Sequence, residues 1–259
     1  LITGLGYAFI YKQSIKHKIF KILMINLYRI SLKFSTKVIF QNKDDQFLFK
    51  KLSIINNISI SKVVNGSGVD LKVFPFSELP SKNVFLMISR ILIDKGVREY
   101  INAAKIVRSY HPNVIFQLAG YLDDNPSSIT KRELQSWIDQ GIIEFLGEIN
   151  SVQLTMKSCK YYVLPSYREG TPRTILEALS TGRPIITTDS PGCRETVIHE
   201  KNGLLVPIKD SKALANAMLR LLNENDKIIK EMAKESYIIA KNKYDIHKVN
   251  KSILEIINL

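Results

Sequence analysis

Pro165-Ser166-Tyr167-Arg168-Glu169-Gly170-Thr171-Pro172-Arg173-Thr174-Ile175-Leu176-Glu177-Ala178-Leu179-Ser180-Thr181-Gly182 lies between two apolar runs, Tyr161-Tyr162-Val163-Leu164 and Ile185-Ile186-Thr187-Thr188. The runs read as strands, and the stretch between them as a loop followed by a helix. Thr171 is the expected N-cap, Pro172 the expected first helical residue and Gly182 the expected stop. The result is a βαβ unit whose loop-to-helix junction carries Glu169, Gly170, Thr171 and Thr174. Such a junction presents unpaired backbone N–H groups and the positive end of a helix dipole, which suits an anion. Arg173 in the first turn opposes that dipole unless an anionic ligand or a carboxylate lies close by. Glu169 sits in the loop and Glu177 inside the helix, about one and a half turns past its start. The two carboxylates can therefore meet opposite ends of an anchored phosphate ligand. Each accepts hydrogen bonds in a fork, which suits vicinal hydroxyls. The same spacing also fits an ordinary capped helix with two exposed glutamates.

The same alternation continues on both sides. Strands are expected at Val84–Ile88, Val114–Leu118, Ile142–Phe145 and Leu204–Val206. Helices are expected over Val97–Tyr110, Lys131–Asp139 and near Val152–Ser158, with a short one beyond Gly192 and others over much of Lys212–Leu259. Strands alternating with helices imply a parallel sheet covered on both faces, with ligands at the carboxyl ends of its strands. One further constellation belongs at such an end. Ser89-Arg90-Ile91-Leu92-Ile93-Asp94-Lys95-Gly96 puts two cations in a loop before a helix. Arg90 can grip a diphosphate as a fork and Lys95 as a point charge, although a basic loop can equally be just solvated.

Upstream, Thr36–Phe40 and Lys62–Val64 read as short strands and Asp44–Leu52 as a helix. Asn65–Asp70 is rich in turn residues, and Phe74–Ser81 reads as a linker. Three regions follow: residues 1–75, 76–245 and a terminal helix at 246–259. With 259 residues and 45% hydrophobic content, the chain can build one large or two smaller globular cores. The charge is uneven. Residues 1–62 hold eleven lysines and arginines against only Asp44 and Asp45, which is +9 of the total +13. A basic region of this kind suits an anionic membrane surface or nucleic acid. Within it, Lys12–Phe34 reads as a long helix. Ile15, Ile19, Ile22, Leu23, Leu27 and Ile30 recur at three- and four-residue intervals, as the core side of a helix with a solvated basic face would. Membrane contact is an added role for this helix.

Two cysteines, Cys159 and Cys193, are too few for a disulfide framework and read as structural, in a reducing compartment. His17, His111, His199 and His247 are scattered without metal-like spacing, and Asp123-Asp124-Asn125 reads as a polar turn. The chain opens on Leu1 without a methionine, and Leu1–Tyr7 reads as the middle of a domain.

Arg90 with Lys95-Gly96, Glu169-Gly170 with Glu177, and Asn202-Gly203-Leu204-Leu205-Val206-Pro207 together resemble a family 4 glycosyltransferase of the GT-B fold. The resemblance covers essentially the whole chain. It implies an α/β architecture of two Rossmann-like domains, the amino-terminal one truncated. It also implies that Arg90 and Lys95 hold the donor diphosphate and stabilise the departing nucleotide. Glu169, the third residue of that catalytic set, would contact the donor sugar, and Glu177 the ribose hydroxyls. The remaining donor-binding contacts, at the diphosphate or the sugar, would come from Gly170, Thr171, Pro172, Arg173 and Thr174. Members of the family retain anomeric configuration and generally need no metal, which agrees with the lack of an Asp-x-Asp element.

Leu1–Phe9, Asn65–Asp70 and Pro191–Thr196 resemble a narrower group that extends undecaprenyl-diphosphate-linked saccharides in O-antigen or capsule synthesis. This resemblance implies a UDP-sugar donor such as UDP-N-acetylgalactosamine, a lipid-linked acceptor, no nucleic acid, and a cytoplasmic enzyme peripheral on the inner face of a bacterial membrane. Thr3-Gly4 stands where many members carry His-Gly, and the first half of the amino-terminal domain is missing. A sugar-nucleotide 2-epimerase of the same architecture is one rival; a basic nucleic-acid-binding protein is another.

Overall fold

The computed structural model describes residues 1–9, 14–55, 57–123, 125 and 127–257. A small layer comes first: helix α1 (Ile15–Leu32), strand β1 (Val38–Phe40), helix α2 (Lys43–Lys51) and strand β2 (Ser61–Val63). β1 and β2 pair in parallel, and Ile2 bridges to Phe40. From Val84 strands and helices alternate: β3 (Val84–Ile88), α3 (Val97–Tyr110), β4 (Ile115–Ala119), α4 (Lys131–Asp139), β5 (Glu144–Gly147), α5 (Val152–Ser158), β6 (Tyr161–Leu164), α6 (Arg173–Ser180), β7 (Ile185–Thr188) and β8 (Gly203–Val206). Helices α7 (Ser211–Asn223), α8 (Asp226–Ile239) and α9 (Ile246–Ile257) follow, with a π-helical turn at Ala240–Tyr244.

The six strands β3–β8 form one parallel sheet in the order β5-β4-β3-β6-β7-β8. The strand order reverses between β3 and β6. A crevice forms outside their carboxyl ends, because the connections on either side leave toward opposite faces. Every residue of β3, β6 and β7 is buried, as a sheet covered on both faces requires. The edge strand β5 instead alternates exposed with half-buried residues. It starts two residues later than the sequence pattern suggests, because Ile142 and Ile143 are buried ahead of it as core anchors.

The apolar core falls into two clusters. The larger surrounds the six-stranded sheet; the smaller gathers Leu5, Phe9, Val38, Phe40, Phe49, Ile54 and Ile55. Phe74–Ser81 is no free tether. Phe74 is buried, Ser77 N donates to Thr181 O, and the fully buried Arg183 donates to the carbonyls of Ser77, Glu78, Thr181 and Cys159.

Helix α1 corrects one expectation. Lys12 lies outside the described residues, and the helix begins at Ile15, capped by Ser14. Ile15, Ile19, Ile22, Leu23, Leu27 and Ile30, expected to face the core, are exposed instead, Ile15 at 76% and Ile22 at 60%. A second apolar set on the same helix, Met24, Ile25, Tyr28 and Leu32, packs on the smaller cluster. Tyr28 meets the Phe49 ring edge-on at 5.0 Å. A helix apolar on more than one face cannot be oriented from its periodicity, and the aromatic side won.

Candidate active site

The loop after β3 and the loop after β6 face each other across the point where the strand order reverses. Lys95, ending the 3₁₀ turn Ile93–Lys95, donates from Nζ to Glu169 Oε1 at 2.5 Å, with both side chains largely buried. Arg90 reaches the turn beyond β4 and pairs Nη1 with Asp123 Oδ2 at 3.1 Å. In that turn Asn125 N donates to Asp123 Oδ1, while Asp124 lies outside the described residues. A cleft of about 280 Å³ opens at this place. Thr3, Gly4, Leu5 and Gly6 line it from the smaller layer, and Arg90, Lys95, Arg168, Glu169 and Gly170 from the larger.

An adjoining hollow of about 200 Å³ shares Arg90, Lys95 and Glu169 and adds Pro172, Arg173 and Thr174. Glu177 lines a third hollow, of about 320 Å³, together with Arg173, Asp70 and Ile246. Arg173 is common to the second and third. Seven of the nine residues singled out in the sequence, all but Thr171 and Glu177, thus line one or both of two adjoining hollows. Glu177 stands one hollow further along, on the other side of Arg173.

The helix start differs from expectation. α6 begins at Arg173, with Pro172 in extended conformation (φ −68°, ψ 114°) as the cap and no side chain capping the end. Thr171 lies one residue before the cap, and its hydroxyl donates instead to Gln41 O, in the smaller layer, at 3.0 Å. The first N–H groups of α6 are left for a ligand or solvent, beside a hollow lined by Arg90, Lys95 and Arg173. The other end follows expectation: Gly182 takes the left-handed φ of +77° that stops a helix. Gly170 is needed for a different reason. A Cβ there would stand 1.8 Å from Thr3 O and 2.7 Å from Gln41 Oε1, so only glycine lets the two layers close at this point.

Arg173 finds its carboxylate on its own helix. Its Nε donates to Glu177 Oε1 at 3.1 Å, one turn further along. Glu177 is 5% exposed, and burial raises its carboxyl above the usual range, with Arg173 opposing. The Arg173 side chain is 76% exposed and can leave without desolvation cost. Cys159 and Cys193 are free and buried, and burial pushes their thiols up to about 12 and about 11. Among the described residues no group of three or more His, Cys, Asp or Glu side chains could hold a metal ion.

Sequence reasoning missed the part of the smaller layer that holds the Glu169 loop. Asn42, the N-cap of α2, donates from Nδ2 to Gly170 O at 2.8 Å and to Glu169 O at 3.3 Å. Asp45, 1% exposed, forms an ion pair with Arg168. Lys43 N donates to Glu195 Oε1, and Arg194 pairs with Asp44 at 3.2 Å. One local signal existed. Asn42-Lys43-Asp44-Asp45 directly after a strand reads as a cap with an acidic first turn at a carboxyl strand end.

Residues 82–224 match the family model described as glycosyl transferases group 1. The chain is 31% identical over 250 residues to the N,N'-diacetylbacillosaminyl-diphospho-undecaprenol alpha-1,3-N-acetylgalactosaminyltransferase of Campylobacter jejuni, covering 91% of this chain and 64% of that protein. It is 29% identical over 244 residues to the UDP-Gal:alpha-D-GlcNAc-diphosphoundecaprenol alpha-1,3-galactosyltransferase of Escherichia coli, covering 88% of this chain and 61% of that one. The chain thus spans somewhat under two thirds of the length of these relatives. Among solved structures, Anabaena HepE in complex with UDP-glucose superposes with a TM-score of 0.78 at 22% identity, over 92% of this chain and 69% of that one. Sucrose-phosphate synthase from Thermosynechococcus elongatus gives the same TM-score of 0.78 at 20% identity, over 92% of this chain and 61% of that one. These likenesses are of fold, the GT-B arrangement of two Rossmann-like domains.

Proposed function

Because the chain belongs to the group 1 glycosyl transferases, we propose that it moves a hexose or N-acetylhexosamine from a UDP-sugar to a saccharide carried on a lipid diphosphate, with retention of anomeric configuration, in surface polysaccharide synthesis. The observation that carries this reading is the meeting of Arg90, Lys95 and Glu169 in one cleft at the reversal of strand order. A nucleoside diphosphate brings two or more negative charges, and Arg90 and Lys95 are positioned to answer them. Lys95 is held by Glu169 in the structure described here. An arriving phosphate competes for that ammonium and frees the carboxylate for a sugar hydroxyl. As the bond from the anomeric carbon to the phosphate oxygen breaks, charge gathers on the leaving diphosphate. Cations fixed nearby stabilise that charge without a bound metal. Glu177, reached past the displaceable Arg173, suits the two ribose hydroxyls as a forked acceptor.

The relatives' names supply the acceptor class. For the membrane side of the proposal, the exposed face of α1 is apolar at Ile15, Ile19, Ile22 and Ile30 and interleaved with Lys16, Lys18 and Lys33. Apolar insertion plus lysine attraction suits the anionic inner leaflet of a bacterial membrane. Among the described residues no helix is long and apolar enough to cross a membrane.

The test is calorimetric titration of the chain with UDP and, in parallel, GDP, repeated for Arg90→Ala and Glu177→Ala. UDP-selective binding, weakened about ten- to a hundredfold in each variant as loss of a charged hydrogen bond implies, is the expected result. Equal binding of both nucleotides, or UDP binding that neither variant disturbs, sinks the assignment.

A further inference from the structure

The two layers of the molecule meet at the loop that carries Glu169, and the contact is built from buried polar groups. Asn42 is fully buried. Its Oδ1 accepts from Asp45 N at 2.7 Å and caps α2, while its Nδ2 donates to Asp45 Oδ2, to Glu169 O and to Gly170 O. Asp45 spends its other oxygen on Arg168, which lines the cleft and whose buried Nε has no partner among the described residues. Thr171 adds a fourth tie through Gln41 O. Four consecutive residues, 168–171, are thus each bonded to residues 41–45 of the other layer. None of residues 41–45 lines the cleft.

Loops normally owe their shape to their own turns and to water. Here the consecutive backbone carbonyls of Glu169 and Gly170 are held from across the molecule by one asparagine. An asparagine at an N-cap needs only its oxygen, so the placement of its amide group against two foreign carbonyls is a separate function of the same side chain.

We propose that Asn42 and Asp45 are positioning residues: through Gly170 and Arg168 they set the Glu169 loop, so that the sugar end of the donor site is set by residues 41–45 while the nucleotide end is not. This rests on the donor-site reading above for its second half only. The nucleotide end, at Arg90, Arg173 and Glu177, makes none of these bonds.

The test uses two variants of the full chain. Asn42→Ser keeps an N-cap acceptor of equal rank but cannot reach Gly170, and Asp45→Asn removes the charge facing Arg168. Hydrogen exchange of the amides of residues 168–171 is read first, alongside exchange in β6 as a control. Both variants are expected to speed exchange of the loop by about tenfold or more, with β6 unchanged. Loop exchange that is unaltered in both variants, or that rises together with β6, overturns the proposal. Titration with UDP and with UDP-N-acetylgalactosamine follows. UDP affinity is expected to stay within about twofold, while the advantage of the sugar nucleotide over UDP is lost. A parallel fall in both affinities overturns the division of the site. Should the unmodified chain bind no nucleotide, the donor-site reading fails and the division of the site with it, and the exchange result still decides whether residues 41–45 hold the loop.

Discussion

Helices α1 and α6 are both rich in apolar residues, and the fold uses them in opposite ways. Six of the eight residues of α6 are buried, Glu177 among them, whereas α1 buries only His17 among its eighteen. The difference lies in what each helix touches. α6 packs between the sheet and α8 with its following π-helical turn, so nearly every direction is filled. Among the described residues α1 packs on the aromatic cluster around Phe9 and Phe49. Burial of a helix is thus set by the number of layers around it, and composition alone does not report that number. Function divides along the same line. The enclosed unit fixes a site, and the open helix offers a surface.

Three variants sharpen or break this contrast. The largest effect is expected at Arg183, which follows α6 and donates to four carbonyls and to the Ser77 hydroxyl. Arg183→Ala strands those acceptors in the interior and should cost about 3–5 kcal/mol, read as a melting temperature lower by about 10 °C. A loss under about 1 kcal/mol would mean that the enclosed unit tolerates what the open helix does.

An effect of opposite sign is expected at Glu177. Its raised carboxyl favours the protonated form in the folded chain, so its contribution to stability is fully present below the ordinary value of 4.5 and is lost as pH rises through the folded value. Glu177→Gln removes the buried charge, while the exposed Arg173 returns to water. The variant should therefore melt higher than the parent at pH 7 by up to a few degrees. That margin should close as the pH falls toward 4.5, even though UDP binding is weakened. A margin that widens on acidification would mean that the carboxylate is better solvated than its burial implies.

The smallest stability change belongs to α1. Ile19→Ser with Ile22→Ser should alter unfolding free energy by no more than about 0.5 kcal/mol per site, as expected of side chains already in water. Binding to vesicles containing anionic lipid should nevertheless fall severalfold. Unchanged vesicle binding would remove the surface role assigned to this face.

What could be read beforehand follows the same division. β3, α3, α4, β6 and β7 stand where the sequence placed them, because alternating apolar runs bounded by Gly, Pro, Ser and Asn are local signals. Arg90, Lys95 and Glu169 were legible as candidates, since each sits in a short loop after such a run. The strand order that brings them together was not written in any one segment. Thr171 was misassigned because its partner, Gln41, is 130 residues away. The ties from Asn42 and Asp45 were invisible for the same reason: a cap is read from its own helix, and nothing local announces that its other face meets residue 170. The outward face of α1 was misread because two apolar sets compete on one helix.

The sulfur chemistry of the chain has a practical consequence. Both native thiols are fully buried and held protonated, Cys193 with the lower value of about 11. Alkylating reagents attack the thiolate, so both positions should react slowly with them in the folded protein. A single cysteine placed at the exposed Ile22 should react far faster, and a fluorophore there would report the polarity around the open helix.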